Sequence, residues 1–207
     1  MDTLLASLKM LGVTLVVCCV LYPAAILGLG QLAVPASANG SLIETADGRV
    51  VGSELIAQGF ASPGYVWPRP SAVDYDAAGT GGSNLSPTNP ELRERAVALI
   101  AQHGVDAPVP PELLTASGSG MDPHITERAA LFQAPRVAEA RGVDAGEVER
   151  VVRQSAGSAS GLSSADRIVN VLALNLALDR AFGEARGTAV PPGAAPDTLP
   201  PAPGGAE

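Results

Sequence analysis

The chain has 207 residues, a formal net charge of −8 and a hydrophobic content of 46% that is raised by its N-terminal stretch. Lys9 is the only lysine and the arginines are scattered, so the basic stripe that nucleic-acid binding needs to neutralise phosphates is missing. The length suits one domain with appendages.

No charged residue occurs between Met10 and Ile43. Twenty helical residues cover about 30 Å of hydrocarbon, and Met10 to Leu29 supplies twenty uncharged ones, ten of them Leu, Val or Ile. The pattern predicts a short cytoplasmic N-terminus over residues 1–9 and a transmembrane anchor over 10–34. A cleaved signal peptide is the rival reading, because Ala36-Ser37-Ala38 forms an A-x-A signal. The apolar run is longer than the roughly 7–15 residues of a signal core, and only Lys9 against Asp2 precedes it, which favours an uncleaved anchor. Lys9 also sets the orientation, N-terminus inside and the following domain outside. Cys18 and Cys19 are adjacent, about 100° apart on a helix, and so poorly placed to bond to each other. No cysteine follows them, so the domain is expected to have no disulfide and no thiol chemistry. Ala24 and Gly28 form a small-xxx-small pair that would admit another helix, or are ordinary small residues facing lipid, and Pro23 is expected to kink the span.

An extracytoplasmic domain of α+β class is expected over residues 39–186. Ser41–Glu44 and Arg49–Gly52 read as short strands around a turn at Ala46-Asp47-Gly48. From Ala61 to Pro90 the chain is rich in Gly, Pro, Ser, Asn and Asp, carries Tyr65, Trp67 and Tyr75, and shows neither helical nor alternating period. So long a loop is commonly a binding surface. A helix should start with Asn89 as N-cap and Pro90 in its first turn and stop near Gly104. A second spans Thr126 to Arg141, closed by Gly142, with Pro135 expected to break or bend it. A third is capped by Asp144, has Glu147 three residues on, and runs to Gln154. Asn170 to Asp179 resumes an apolar pattern, a buried terminal helix in which Asn175 needs a hydrogen-bond partner. The segment 187–207, dominated by Pro, Ala and Gly, has too little to bury and is expected to be disordered.

Catalytic signatures are scarce. Gly79-Thr80-Gly81-Gly82-Ser83 lacks the lysine a P-loop requires, and the D-K-T-G-T phosphorylation motif is absent from the sequence. Two histidines, His103 and His124, with no cysteine beyond the anchor serve zinc poorly. No cofactor or metal is therefore expected in this chain. The segment Thr115–His124 gathers Ser117, Ser119, Asp122 and His124, and a serine hydrolase using Ser117 or Ser119 with His124 is the alternative function. Neither serine has the G-x-S-x-G spacing of a nucleophile elbow, and hydroxyls with Asp122 tying down turns by local bonds is the simpler reading.

Several strings, taken in order, resemble one family, KdpC, the small subunit of the bacterial potassium-transporting P-type ATPase complex. They include Asn39–Leu42, Arg69–Ala72, Tyr75–Ala77, Gly81–Leu85, Pro87–Pro90, Thr115–Gly120, Asp122–Ile125, Arg136–Ala138 and Val169 through Asp179. Ser86 stands where the family usually has glycine, and Gly161 to Asp166 lacks its Gly-Glu-Pro, which puts local loop detail outside the resemblance. The tail after Gly187 is also outside it.

The resemblance implies a non-catalytic accessory subunit in the bacterial plasma membrane, beside a channel-like potassium-translocating subunit and a P-type ATPase subunit. ATP, Mg2+ and K+ would belong to those partners, and membrane lipid would surround the anchor. The roles proposed in the family are assembly and stabilisation, and a catalytic chaperone that raises the ATP affinity of the hydrolysing subunit. Because ATP is cytoplasmic, a domain held outside could act on it only through coupling between states. The loop Ala61–Asn89 and the segment Thr115–His124 are expected to form the docking surface, with Trp67, Arg69, Asn84, Asp122 and His124 as its candidates. That these residues brace the domain's own loops is the competing expectation.

Overall fold

The computed structural model describes residues 2–45, 48–104, 107–158 and 167–185. The expected disordered tail, the turn residues Ala46 and Asp47, and Gly161–Asp166 lie outside the described residues. The chain divides into two units, 1–53 and 54–207.

The first unit is dominated by one helical rod from Asp2 to Ala33, long and apolar enough to cross a membrane. It comprises α1 (Asp2–Leu15), a π-helical segment (Val16–Leu21) and α2 (Tyr22–Ala33). At Pro23, where a kink is expected, the structure has this π-helical segment. Proline has no N–H to donate and its ring crowds the carbonyl four residues back, and the turn ahead of it is widened so that the Tyr22 N–H reaches back five residues to Val17 O. The helix begins well ahead of Met10 because nothing between Asp2 and Lys9 breaks it. A single turn α3 (Pro35–Ala38) follows, and Gln31 and Asn39 side chains bond to each other at 3.0 Å. Strands β1 (Leu42–Glu44) and β2 (Val50–Ser53) then form the expected antiparallel hairpin, with Leu42 opposite Ser53.

The second unit packs three helices against a small sheet. Its elements are α4 (Pro90–His103), a 3-10 turn (Pro111–Leu113), β3 (His124–Thr126), α5 (Glu127–Arg141), α6 (Ala145–Ser155), β4 (Gly157–Ser158), β5 (Arg167–Asn170) and α7 (Val171–Phe182). The sheet has the order β3-β5-β4, both pairs antiparallel, with Ile125 opposite Val169. The core joins Ile125 and Val169 to Ala134 and Val137 of α5, Val148 and Val152 of α6, and Leu174 and Leu178 of α7, and Val66 of the long loop enters it as well.

Helix boundaries follow local chemistry. Asn89, Thr126, Asp144 and Asn170 each accept a backbone N–H as N-caps, and Gly104 and Gly142 close α4 and α5 in the left-handed conformation. Asp144 bonds to Gly146 N at 2.8 Å rather than to the N–H of Glu147 that a full capping box would use. Of the expected break or bend at Pro135, the break does not occur, because α5 runs through it as one element. Pro135 lies on an exposed position, while Ala130, Gln133, Ala134, Val137 and Ala138 are buried on both sides of it. That burial outweighs the ~3 kcal/mol an interior proline costs. The sequence reading also had no sheet in this unit: His124–Thr126 and Arg167–Asn170 are strands that pair across more than forty residues.

Candidate functional site

The loop from Ala61 to Asn89 contains no helix or strand, as its composition suggests. Its shape is imposed by two buried amides on helices. Asn175 of α7 accepts from Val66 N at 2.8 Å and donates Nδ2 to Val66 O at 2.9 Å. Gln133 of α5 treats the next residue in the same way, accepting from Trp67 N at 2.9 Å and donating to Trp67 O at 3.0 Å. Two consecutive loop residues thus have donor and acceptor satisfied as in a strand ladder, but by side chains. Asn175 was expected to need a partner and has one; Gln133 was missed. Its signal was a lone polar residue inside the apolar stripe Ala129, Ala130, Ala134, Val137.

Arg136, also unremarked in the sequence beyond its family string, lies with its guanidinium 3.6 Å from the Trp67 ring centroid. It donates to Pro63 O at 2.6 Å, Tyr65 O at 3.1 Å and Gln133 Oε1 at 2.7 Å. Burial lowers its pKa to about 10, which leaves it charged at neutral pH. The cluster also holds His103, whose ring packs against Trp67 at 5.5 Å and edge-on to Phe132 at 5.7 Å. Burial, reinforced by the Arg136 charge, lowers the pKa of His103 to about 4. Trp67 is therefore wedged between its own domain's side chains, and its Nε1 donates to Ser62 O at 3.2 Å.

A second cluster forms next to it, further along the loop. Arg69 donates Nη1 to Asp122 Oδ2 at 3.2 Å, while Asp122 Oδ1 accepts from His124 N at 3.0 Å and stands 3.8 Å from His124 Nδ1. All three side chains are partly open to solvent. The two segments singled out from the sequence meet here: Ser117 N donates to Pro70 O at 3.2 Å and Gly81 N to Ser119 O at 2.8 Å. A Cβ on Gly120, whose φ is +68°, would fall 2.5 Å from Val73 Cγ2 and 2.8 Å from Gly81 O. Ser71 Oγ accepts from the N–H groups of Val73 and Tyr75, and Tyr75 Oη donates to Arg69 O at 3.0 Å. Burial, with the charge of Asp74, raises the pKa of Tyr75, so it remains a phenol donor. Asp74, Tyr75 and Asn84 all have positive φ, a conformation that costs a residue with a Cβ about 1–2 kcal/mol.

Arg69, Asp122 and His124 are brought together, and Trp67 sits in the adjoining aromatic cluster. Asn84 is exposed, and no hydrogen bond or ion pair joins it to the others among the described residues. The hydrolase constellation is not assembled. Ser117 is buried, Ser119 Oγ accepts from Met121 N at 3.1 Å, and among the described residues neither serine is hydrogen-bonded to His124. The local turn-forming role expected of Ser119 and Asp122 is what the structure has. No group of three or more His, Cys, Asp or Glu side chains arranged to hold a metal ion occurs among the described residues. On the helical rod, Ala24 and Gly28 are exposed, and a Cβ at Gly28 would meet nothing within 4 Å.

Residues 4–180 match the family model KdpC, described as K+-transporting ATPase, c chain. A potassium-transporting ATPase KdpC subunit of Parvibaculum lavamentivorans is 50% identical over 182 residues, covering 87% of this chain and 97% of the relative. The Myxococcus xanthus subunit of the same name is 50% identical over 190 residues, with 88% and 90% covered. That of Geobacter sulfurreducens is 44% identical over 186 residues, with 86% and 98% covered.

Proposed function

The chain belongs to the KdpC family, the c chain of K+-transporting ATPases, and on that footing we propose that it assembles and stabilises a potassium-import complex without itself catalysing a step. Membership makes it an accessory subunit of the potassium-transport complex, and its single N-terminal apolar helix fits a single-pass membrane anchor. The observation that carries the proposal is the extent of the match, which takes in both the apolar helix and the folded second unit. The partners are a channel-like potassium-translocating subunit and a P-type ATPase subunit that supplies the phosphorylation motif this sequence lacks. The folded domain lies outside the cytoplasm, since Lys9 is the one basic side chain close to the span. Any gain in ATP affinity of the hydrolysing subunit then reaches the nucleotide indirectly, as a coupling between states of the complex.

Docking is assigned to the half-open Arg69–Asp122–His124 cluster and to exposed Asn84, while Trp67 shapes that surface from beneath. Ala24 and Gly28 offer the approach for a partner helix in the membrane. The test is K+-stimulated ATP hydrolysis in membranes from cells grown at low potassium, with this chain deleted and then restored. Deletion should abolish it, the full chain should restore it, and a Ser117→Ala/Ser119→Ala/His124→Ala variant should retain part of it. Full activity without the chain would remove the proposal.

A further inference from the structure

The chain leaving the apolar helix is folded into a tight, capped turn. Ala38 N donates to Val34 O at 2.9 Å and Asn39 N to Pro35 O at 3.1 Å. Gly40 N donates to Ser37 O at 3.1 Å and Ser41 N to Ala36 O at 2.8 Å, with Gly40 at φ +89°. These paired bonds and the left-handed glycine make a Schellman cap on α3. Side chains tie the turn down further. Asn39 Nδ2 donates to Pro35 O at 2.8 Å, the Gln31 and Asn39 amides bond to each other, and Ser53 Oγ of β2 donates to Gly40 O at 2.7 Å. Ala38 lies back toward α2, where a Cβ on Gly30 would stand 3.5 Å from its methyl.

The A-x-A tripeptide Ala36-Ser37-Ala38 is the body of this turn. Its three residues are exposed, so what is withheld is their conformation. An extended peptide is recognised as an added strand, through its backbone N–H and C=O groups and through alternate side chains that enter pockets on one side. In α3 the Ala36 and Ser37 carbonyls and the Ala38 N–H are already bonded within the chain. Ala36 and Ala38, which a strand would turn to the same side, lie about 200° apart around a helix.

We infer that the capped turn of α3 keeps this signal closed to the membrane protease that cuts after small-x-small tripeptides, so that the helix from Asp2 to Ala33 stays attached. The inference rests on the anchor reading above and adds the local fold to the length of the apolar run as a reason the anchor is kept. Gly40, Asn39 and Gln31 are its positioning residues, because they hold the turn that the protease would have to open.

The experiment expresses the full chain with a C-terminal tag, together with the whole complex, and measures by mass spectrometry of the N-terminus the fraction cut after Ala38. Wild type is compared with Asn39→Val/Gly40→Val. That pair removes the Asn39 side-chain bonds and puts β-branched residues, which favour extended backbone, at the cap. A Cβ at Gly40 meets nothing within 4 Å, so valine there acts through the backbone and not through a clash. The cut fraction should rise at least tenfold over wild type. Adding Ala38→Leu, which places a large residue where the signal requires a small one, should return it to the wild-type level. A valine pair as intact as wild type would overturn the inference and leave the anchor in place, with run length alone protecting it. A shortened product that persists with Ala38→Leu comes from cutting elsewhere and would overturn it as well. Wild type itself cut after Ala38 would sink the inference together with the anchor.

Discussion

Asn175 and Val66, 109 residues apart in the chain, exchange two hydrogen bonds of 2.8 and 2.9 Å in the core of the second unit. The buried Val66 backbone has no water to turn to. Replacing Asn175 with leucine leaves one donor and one acceptor unsatisfied, each costing about 1–3 kcal/mol. Urea unfolding of the solubilised chain should show a loss of roughly 2–6 kcal/mol on that basis, and Asn175→Asp should also destabilise, because it deletes the donor to Val66 O.

Arg141 makes a second long-range tie. Its side chain, 2% exposed, bonds Asp179 at 2.8 Å, Gly64 O at 2.7 Å and Gly183 O at 2.7 Å, and Tyr65 Oη donates to the other oxygen of Asp179 at 3.2 Å. Asp179→Ala would strand a sheltered guanidinium, which typically costs about 3–5 kcal/mol. The same variant should lower the Tyr65 pKa, since Asp179 acts with burial to raise it. Ultraviolet titration of the phenol measures that shift.

How much of this was legible depends on the distance over which each feature is encoded. Asn89, Asp144, Gly104 and Gly142 mark helix ends through bonds to residues two to four away, so the sequence shows them directly. That Asn175 needs a partner is equally local, because a polar side chain sits in an apolar stripe. That the partner is Val66 is not, since only the folded chain brings them together. The same applies to the sheet: Ile125 and Val169 lie in three- and four-residue strands too short to carry a period. Trp67 is a docking candidate in the sequence, with bracing of its own loop as the competing expectation, and its stacking on Arg136 is a contact that nothing near it in sequence announces. Arg69 and Asp122 were singled out separately, and their ion pair emerges only when the two loops meet.

Acid should weaken the domain through His103. Its pKa in the folded state is about 4 against 6.5 unperturbed, so between these values the unfolded chain binds more protons and stability rises with pH. The contribution is fully present above about pH 6.5 and is lost as pH falls toward 4. Denaturation midpoints taken across that window should slope less steeply in His103→Phe than in wild type, with Arg136 the one charge identified as acting on the imidazole. An unchanged slope would show that the proton linkage lies elsewhere.

Gly120 and Gly142 share a positive φ, +68° and +70°, but differ in space. A Cβ at Gly142 meets nothing within 4 Å, so Gly142→Ala should cost only the ~1–2 kcal/mol of left-handed backbone. At Gly120 it would strike Val73 and the Gly81 carbonyl, so Gly120→Ala should cost clearly more and loosen the contact between the two loops. Paired thermal melts and limited proteolysis near Gly81 separate the two cases.

The place of this anchored, folded KdpC domain is inside a potassium-transport complex. Its most direct test is affinity purification of the chain from native membranes in mild detergent, with mass spectrometry of the associated proteins and of the chain's own N-terminus. A P-type ATPase subunit and a channel-like subunit should be recovered with it, and the helix from Asp2 to Ala33 should still be attached. The chain recovered alone and cut after Ala38 would contradict both the anchor and the complex.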